Sequence, residues 1–346
     1  MQAEEKKYIT MTKTPIPRLV VSLAIPTVLS QLISTIYNTA DTYFVSKIGT
    51  SATAAVGVVF SLMSLIQAVG FGLGMGAGAI ISRKLGKKDT ETANVYASSA
   101  FMAAWLFGSL LLIAGLSFTS PMMRLLGSTP TMLPYANAYG KVILLGAPVM
   151  CSAFVLNNVL RSEGEARLAV WGLTMGGILN MILDPIFIFT LDLGIKGAAI
   201  ATVLSQLISF FILLWMLQKS RRSLLRLRLK DVSKKSSTYF DIMRSGFPTI
   251  MRQMLGSVSS ALLNIQAEVQ LIRAFRQKYF FKRILYAAVA AVTIANKIYM
   301  LVRNIILGIG QGYQPVAGFN YGAGFVKRVK QAFLFTLSRQ EFLLKN

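Results

Sequence analysis

Eight apolar runs, each long enough to cross a lipid bilayer as a helix, constrain this chain more than any other feature. They fall at 19–46, 52–82, 93–118, 134–158, 168–190, 197–217, 242–266 and 287–317, and a ninth run from Ala332 stops short of a span at Ser338. A helical crossing takes about 20 residues. Hydrocarbon offers no hydrogen-bond partners to a bare backbone, so chains that cross repeatedly close their amide bonds within helices. The expected fold class is all-α: a polytopic membrane helix bundle with about eight spans.

Composition agrees. Charged side chains make up 14% of the 346 residues, against roughly 25% in a soluble domain. That excludes a disordered chain, which needs low hydrophobicity, and argues against a water-soluble enzyme. With no histidine and a single cysteine, Cys151, there is no imidazole base, no His metal site and no disulfide within the chain. No nucleophile–base pair is evident, so the chain does not read as an enzyme.

The charges that remain are 36 Lys and Arg against 13 Asp and Glu, a formal +23. Lys6, Lys7, Lys13 and Arg18 precede the first run; Arg83, Lys84, Lys87 and Lys88 follow the second; Arg161 and Arg167 follow the fourth. Nine more, from Lys219 to Arg244, follow the sixth. The alternate loops hold only Lys47, Arg124 and Lys196. Since Lys and Arg collect in cytoplasmic loops, the N-terminus is expected in the cytoplasm. Charge spread over alternate loops, not gathered on one face, speaks against nucleic acid as a partner. The opening MQAEEKKYITMTKTP has no apolar core or cleavage site and does not read as a signal peptide, so the first run is expected to be a retained helix. The expected organisation is an N-lobe of six spans over 1–218, a basic cytoplasmic linker over 219–241 and a second lobe over 242–346.

The chain also copies itself weakly. LAIPTVLSQ (23–31) aligns with SGFPTIMRQ (245–253), placing Pro26 on Pro248 and Gln31 on Gln253. AAVGVVFSLMSLIQAVGFGLGMG (54–76) aligns with AAVTIANKIYMLVRNIILGIGQG (290–312), placing Gly72, Gly74 and Gly76 on Gly308, Gly310 and Gly312, and further on Gly86 on Gly322. Each copy begins after an even number of crossings, so the two share an orientation, as in transporters built from parallel repeats. The offset between copies rises from 222 to 236, and the segment that accounts for the difference is EVQLIRAFRQKYFFKRILY (268–286). Its five basic residues break the loop-charge pattern; an interfacial helix, an insertion and a reading-frame artefact all fit.

Of the acids, only Asp41 and Asp184 fall inside apolar runs. Intramembrane carboxylates are costly and mark ion or proton pathways. Both lie in outward-running spans, in their outer halves, so they can share one depth. Tyr37 and Asn180 precede them by one helical turn, Pro185 frees a carbonyl on the turn before it, and Thr202 lies early in the sixth span. Two carboxylates with amide, hydroxyl and carbonyl oxygens suit Na⁺, and two close carboxylates equally make a proton site. The plainer alternative is two acids that snorkel to the interface and do nothing. Asn157 and Asn158 fit either this polar network or an ordinary interhelical hydrogen bond. Pro26 is a candidate hinge, and the Gly-rich run at 70–80, inside a span, suits helix packing rather than a dinucleotide loop.

LAIPTVLSQLISTIYNTADTYFVSKIGT (23–50), LRSEGEARLAVWG (160–172), LNMILDPIFIFTLDLGIKGAAIATVLSQ (179–206) and GIGQGYQPVAGFNYGAG (308–324) resemble multidrug and toxic compound extrusion (MATE) transporters of the DNA-damage-inducible-protein-like prokaryotic branch. The resemblance covers about 15–267 and 287–335. It implies twelve helices in two parallel six-helix lobes, acting as a monomer in a prokaryotic plasma membrane. It also implies export of cationic or lipophilic small molecules against inward Na⁺ or H⁺, with a coupling ion and no cofactor. The family's cation site falls on Asp41, Asn180, Asp184 and Thr202, and its tyrosine and asparagine neighbours on Tyr37 and Asn158. The segment 268–286 replaces a short connection expected there. The chain ends where a ninth helix is expected to continue, which would leave about four helices of the second lobe absent. The alternatives carried from sequence are therefore a truncated or frame-shifted remnant that inserts without transporting, and a flippase for lipid-linked precursors.

Overall fold

The computed structural model describes residues 2–275 and 302–345. Those residues are helical and connecting segments, with no strand among them. An amphipathic helix, α1 (Gln2–Lys13), precedes the long ones: α2 (Ile16–Ser46), α3 (Thr50–Gly86), α4 (Thr90–Ser117), a short α5 (Thr119–Leu125), α6 (Leu133–Ser162), α7 (Ala166–Pro185) and α8 (Gly194–Lys219). After an irregular connection come α9 (Ser236–Phe275), α10 (302–322) and α11 (Val326–Lys345).

Among the described residues six helices are long and apolar enough to cross a membrane, and each end lies within four residues of its expected place. The seventh expected span lies within α9, which carries Asp241, Arg244 and Arg252 and is too polar to join the six. A helix forms at the seventh expected span without reaching the hydropathy of the six, and the first half of the eighth lies outside the described residues. Residues 268–275 continue α9, whereas 276–286 and the start of the eighth run, to 301, lie outside the described residues.

Helix α6 is the hub, packing against α3, α4, α7 and α8. Most of its apolar stretch is buried, and small residues let its neighbours close in. A Cβ on Gly108 of α4 would lie 2.5 Å from Pro148 Cα. The surrounding helices turn Leu106, Leu110 and Ile113 (α4), Trp171, Ile178 and Ile182 (α7) and Phe211 and Trp215 (α8) outward and exposed, as lipid-facing surfaces require.

The glycines of α3 feed three different neighbours at helical spacing. Gly70 and Gly74 face Phe154 and Asn158 of α6, Gly72 and Gly76 face Ile250 and Gly246 of α9, Gly86 faces α10, and Gly78 lies between Ser162 of α6 and Gln314 of α10. These contacts are reciprocal across the internal repeat. Gly72 meets Ile250, and its counterpart Gly308 meets Val28, the counterpart of Ile250; Gly76 meets Gly246 as Gly312 meets Ala24. Along the α3–α10 seam, Gly86 faces Phe319 O and Gly322 faces Arg83 O, each pair the image of the other. Gly78–Gln314, Gly318–Ser82 and Gly86–Phe319 advance together in sequence, so α3 and α10 run in the same direction. The aligned motifs are thus a parallel structural repeat about a local two-fold, held by close backbone approach that only small residues permit.

At the basic end of the bundle the connections are tied down. Glu163 is fully buried; its Oε2 accepts from the backbone N–H of Leu224 at 2.8 Å and lies 3.7 Å from Lys7 Nζ. Lys7 also pairs with Glu165 at 3.2 Å and donates to Arg222 O. Asn94, Ser98 and Ser99 of α4 accept from Arg226, Arg228 and Ser233 N–H, pinning the linker across the helix ends. Burial pushes the Glu163 carboxyl above its ordinary range, with the Lys7 ammonium opposing.

Candidate functional site: a buried carboxylate pair

At the end opposite α1, four helices deliver polar groups to one depth. Counting back at about 1.5 Å per residue, Asp41 lies about 8 Å from the end of α2 at Ser46. Asp184 lies about 9 Å from the end of its segment at Thr190, Tyr139 about 9 Å from the start of α6, and Thr202 about 12 Å from the start of α8. The two carboxyl groups are within hydrogen-bonding reach of each other when one carries a proton. Asp184 is fully buried, and Asn180 Nδ2 donates to its Oδ1 at 3.0 Å while reaching Thr202 Oγ1 at 3.4 Å.

Local sequence sets this geometry. Gly177 lets the Tyr37 ring lie against α7; a Cβ there would sit 2.7 Å from Tyr37 Cδ1. That fixes α2 beside α7 and places Asp41, one turn on, opposite Asp184. Pro185 has no N–H to give the preceding turn, and a π-helical segment, Ile186–Thr190, follows it directly. Such wide turns occur often at functional sites.

Asp41, Asn180, Asp184 and Thr202 are brought together, with Tyr37 at the edge. Pro26 sits within α2, which runs unbroken from Ile16 to Ser46. Asn157 and Asn158 are not brought to the pair. They lie 18 and 19 residues beyond Tyr139 on α6, roughly 27 Å away along the helix. Asn157 donates to Ala169 O at 2.8 Å and accepts from Arg161, while Asn158 donates to Phe154 O in its own helix at 2.8 Å. Their expected place in the carboxylate network is corrected: proximity to the end of a span fixed their depth at the wrong face of the bundle. Tyr139 is the residue the sequence reading missed. It is 1% exposed, its hydroxyl reaches Thr202, and both aspartates lie close enough to influence it. Its place six residues into a span, matching the depth of Asp41 and Asp184, was the available signal.

As bare carboxylates the pair is incomplete, for Asp41 Oδ1 and Asp184 Oδ2 are buried without a hydrogen-bond donor. Two adjacent carboxylates in a low-dielectric setting need a proton or a cation between them. The donor set is all oxygen, from two carboxylates, an amide and a hydroxyl. Among the described residues no cluster of three or more His, Cys, Asp or Glu forms, so the site suits a monovalent ion better than a transition metal.

The family profile described as MatE matches residues 26–186 and 279–338. The FAD transporter of Shewanella oneidensis is 26% identical over 331 residues, 94% of this chain and 70% of that protein. The multidrug export protein MepA of Staphylococcus saprophyticus is 27% identical over 300 residues, 86% of this chain and 63% of that protein. Among solved structures, a MOP superfamily transporter from Pyrococcus furiosus, described as having a binding pocket of reverse polarity, superposes with a TM-score of 0.85. It is 31% identical and is matched over 98% of this chain and 72% of that one.

Proposed function

This chain belongs to the MatE family of multi-pass membrane transporters, and we propose that it couples export of small organic molecules to inward movement of Na⁺ or H⁺ through the Asp41–Asp184 pair. The observation that carries this reading is the pair itself: two buried carboxyl oxygens without donors, at one depth, bridged through Asn180 to Thr202. In the reading, the basic end faces the cytoplasm. A proton or Na⁺ enters from the far side and settles between the carboxylates. Neutralising them draws α2 toward α7 and α8, with Pro26 as the hinge, and narrows the space that cargo occupies. Return to the inward-open form releases the ion to the cytoplasm.

The relatives named as an FAD transporter and a multidrug export protein support small organic molecules as cargo. Lipophilic cargo suits the apolar helix faces. A cationic group suits them less well where Arg161 stands, since a buried guanidinium repels it. The test is efflux from vesicles loaded with a fluorescent compound, with the Na⁺ and pH gradients imposed separately. One gradient is expected to drive efflux, and Asp41→Asn or Asp184→Asn to abolish the dependence. Gradient-driven efflux that survives in both variants overturns the reading.

A further inference from the structure

Arg161 sits on the last turn of α6, 7% exposed, at the end of the bundle away from the carboxylate pair. Its guanidinium donates to Gln311 Oε1 of α10 and to Asn157 Oδ1, and its Nε is buried with no partner. Among the described residues no carboxylate pairs with it. Glu163, two residues on, turns to Lys7 and the linker amides instead. A purely structural arginine in this chain looks different: the Nη atoms of Arg226 are capped by the carbonyls of Leu217, Ser220, Ser223 and Leu225. Two neutral amides do not offset a buried positive charge, and a buried charge is held only at high cost unless something pairs with it.

The same side chain lines a small recess of about 20 Å³, bounded by α2, α3, α6, α7 and α10. Thr27 and Gln31 of α2 and Gln311 of α10 supply further polar groups, and Phe71 supplies a flat apolar wall. That is room for a small polar head group and not for a whole ring-bearing molecule, whose remainder stays outside the recess. Gln31 is ten residues from Asp41 on one helix, about 15 Å along its axis. Across that distance Asp41 does not serve as the counter-charge.

We propose that this recess is an anion subsite in which Arg161 receives a phosphate, sulfate or carboxylate group carried by an apolar or aromatic molecule. The proposal deepens the export reading by naming a cargo class, anionic amphiphiles, and rests on that reading only for the direction of movement. Cation site and anion subsite then stand on the same helix, α2, on the same side of Pro26, so that an ion seated at Asp41 and cargo seated at Gln31 act on one moving part.

The test is equilibrium binding to the full chain in phosphatidylcholine nanodiscs, which needs no gradient and so stands apart from whether the chain transports. Two probes share a coumarin ring, 4-methylumbelliferyl phosphate and the neutral 7-methoxy-4-methylcoumarin, and the cation ethidium carries a flat ring system of its own. A charge-assisted hydrogen bond from Arg161 gives the phosphate ester about tenfold to hundredfold tighter binding than the neutral coumarin. Arg161→Gln erases that preference and Arg161→Lys keeps part of it. Equal binding of ester and neutral coumarin by the unaltered protein, which needs no variant to fold, overturns the proposal. So does a preference that survives in a folded Arg161→Gln protein. Adding phosphatidylglycerol to the nanodiscs separates the sources of the anion: competition marks a lipid headgroup as an occupant, and undiminished ester binding marks a soluble one.

Discussion

The seam between α3 and α10 makes a quantitative demand. A Cβ on Gly86 would lie 2.2 Å from Phe319 O, and one on Gly322 would lie 2.0 Å from Arg83 O. Both obstacles are backbone, so no rotamer relieves them and the helices must part by about 1 Å to reach ordinary contact. Overpacking of this kind costs about 1–3 kcal/mol, and the gain in helix propensity from Gly to Ala returns at most about 1 kcal/mol. Each of Gly86→Ala and Gly322→Ala is therefore expected to lose about 1 kcal/mol of stability, and at most about 2 kcal/mol. Gly310→Ala, whose nearest neighbour is Gln340 Nε2 at 3.8 Å, is the control on the same helix and is expected to be neutral or stabilising. Because one parting of the helices makes room at both crossings, the Gly86→Ala/Gly322→Ala double variant is expected to lose clearly less than the sum of the two. Reversible unfolding in mixed micelles, followed by tryptophan fluorescence, reads all four. Strict additivity of the double variant, or a Gly310→Ala protein as unstable as Gly86→Ala, would refute the two-fold seam.

Two further expectations concern single side chains. Tyr139→Phe removes the hydroxyl that reaches Thr202 and is expected to cost about 1 kcal/mol of ion affinity, read as a several-fold rise in the Na⁺ or H⁺ concentration giving half-maximal efflux, with folding intact. Glu163, whose carboxyl is pushed above the ordinary 4.5 first by burial, binds its proton more tightly folded than unfolded. Its folded form thus loses stability as pH rises past 4.5; thermal unfolding from acid to neutral pH should show the difference between Glu163→Gln and the unaltered protein widening in the variant's favour.

The six spans were legible because each is an apolar run bounded by charge, and length alone sets where such a run can stop. Asp41, Asp184, Asn180 and Thr202 stood out for the complementary reason, since a polar group inside such a run is costly unless it is used. Tyr139 was harder to see, because a tyrosine in an apolar helix is commonplace and only a depth count along α6 separates it from its neighbours. Asn157 and Asn158 misled in the opposite way: they looked like polar groups inside a span, but α6 carries them to the other end of the bundle. Arg161 was hidden by its own charge. Counted among the basic residues following the fourth run, it served as an orientation signal, whereas α6 continues to Ser162 and draws the guanidinium inside. The two-fold seam was half visible: the glycines aligned in sequence, but the reciprocity of their contacts exists only once the helices are packed.

The most direct measurement is the number of coupling ions held by the folded chain. Purified protein in nanodiscs, titrated with ²²Na⁺ or followed for proton uptake by a pH indicator, should bind a single ion per chain at the carboxylate site. Asp41→Asn and Asp184→Asn should each remove it completely, because neither carboxylate holds it alone. If the two variants each lose half of a two-ion signal, the aspartates act independently and the shared site is wrong.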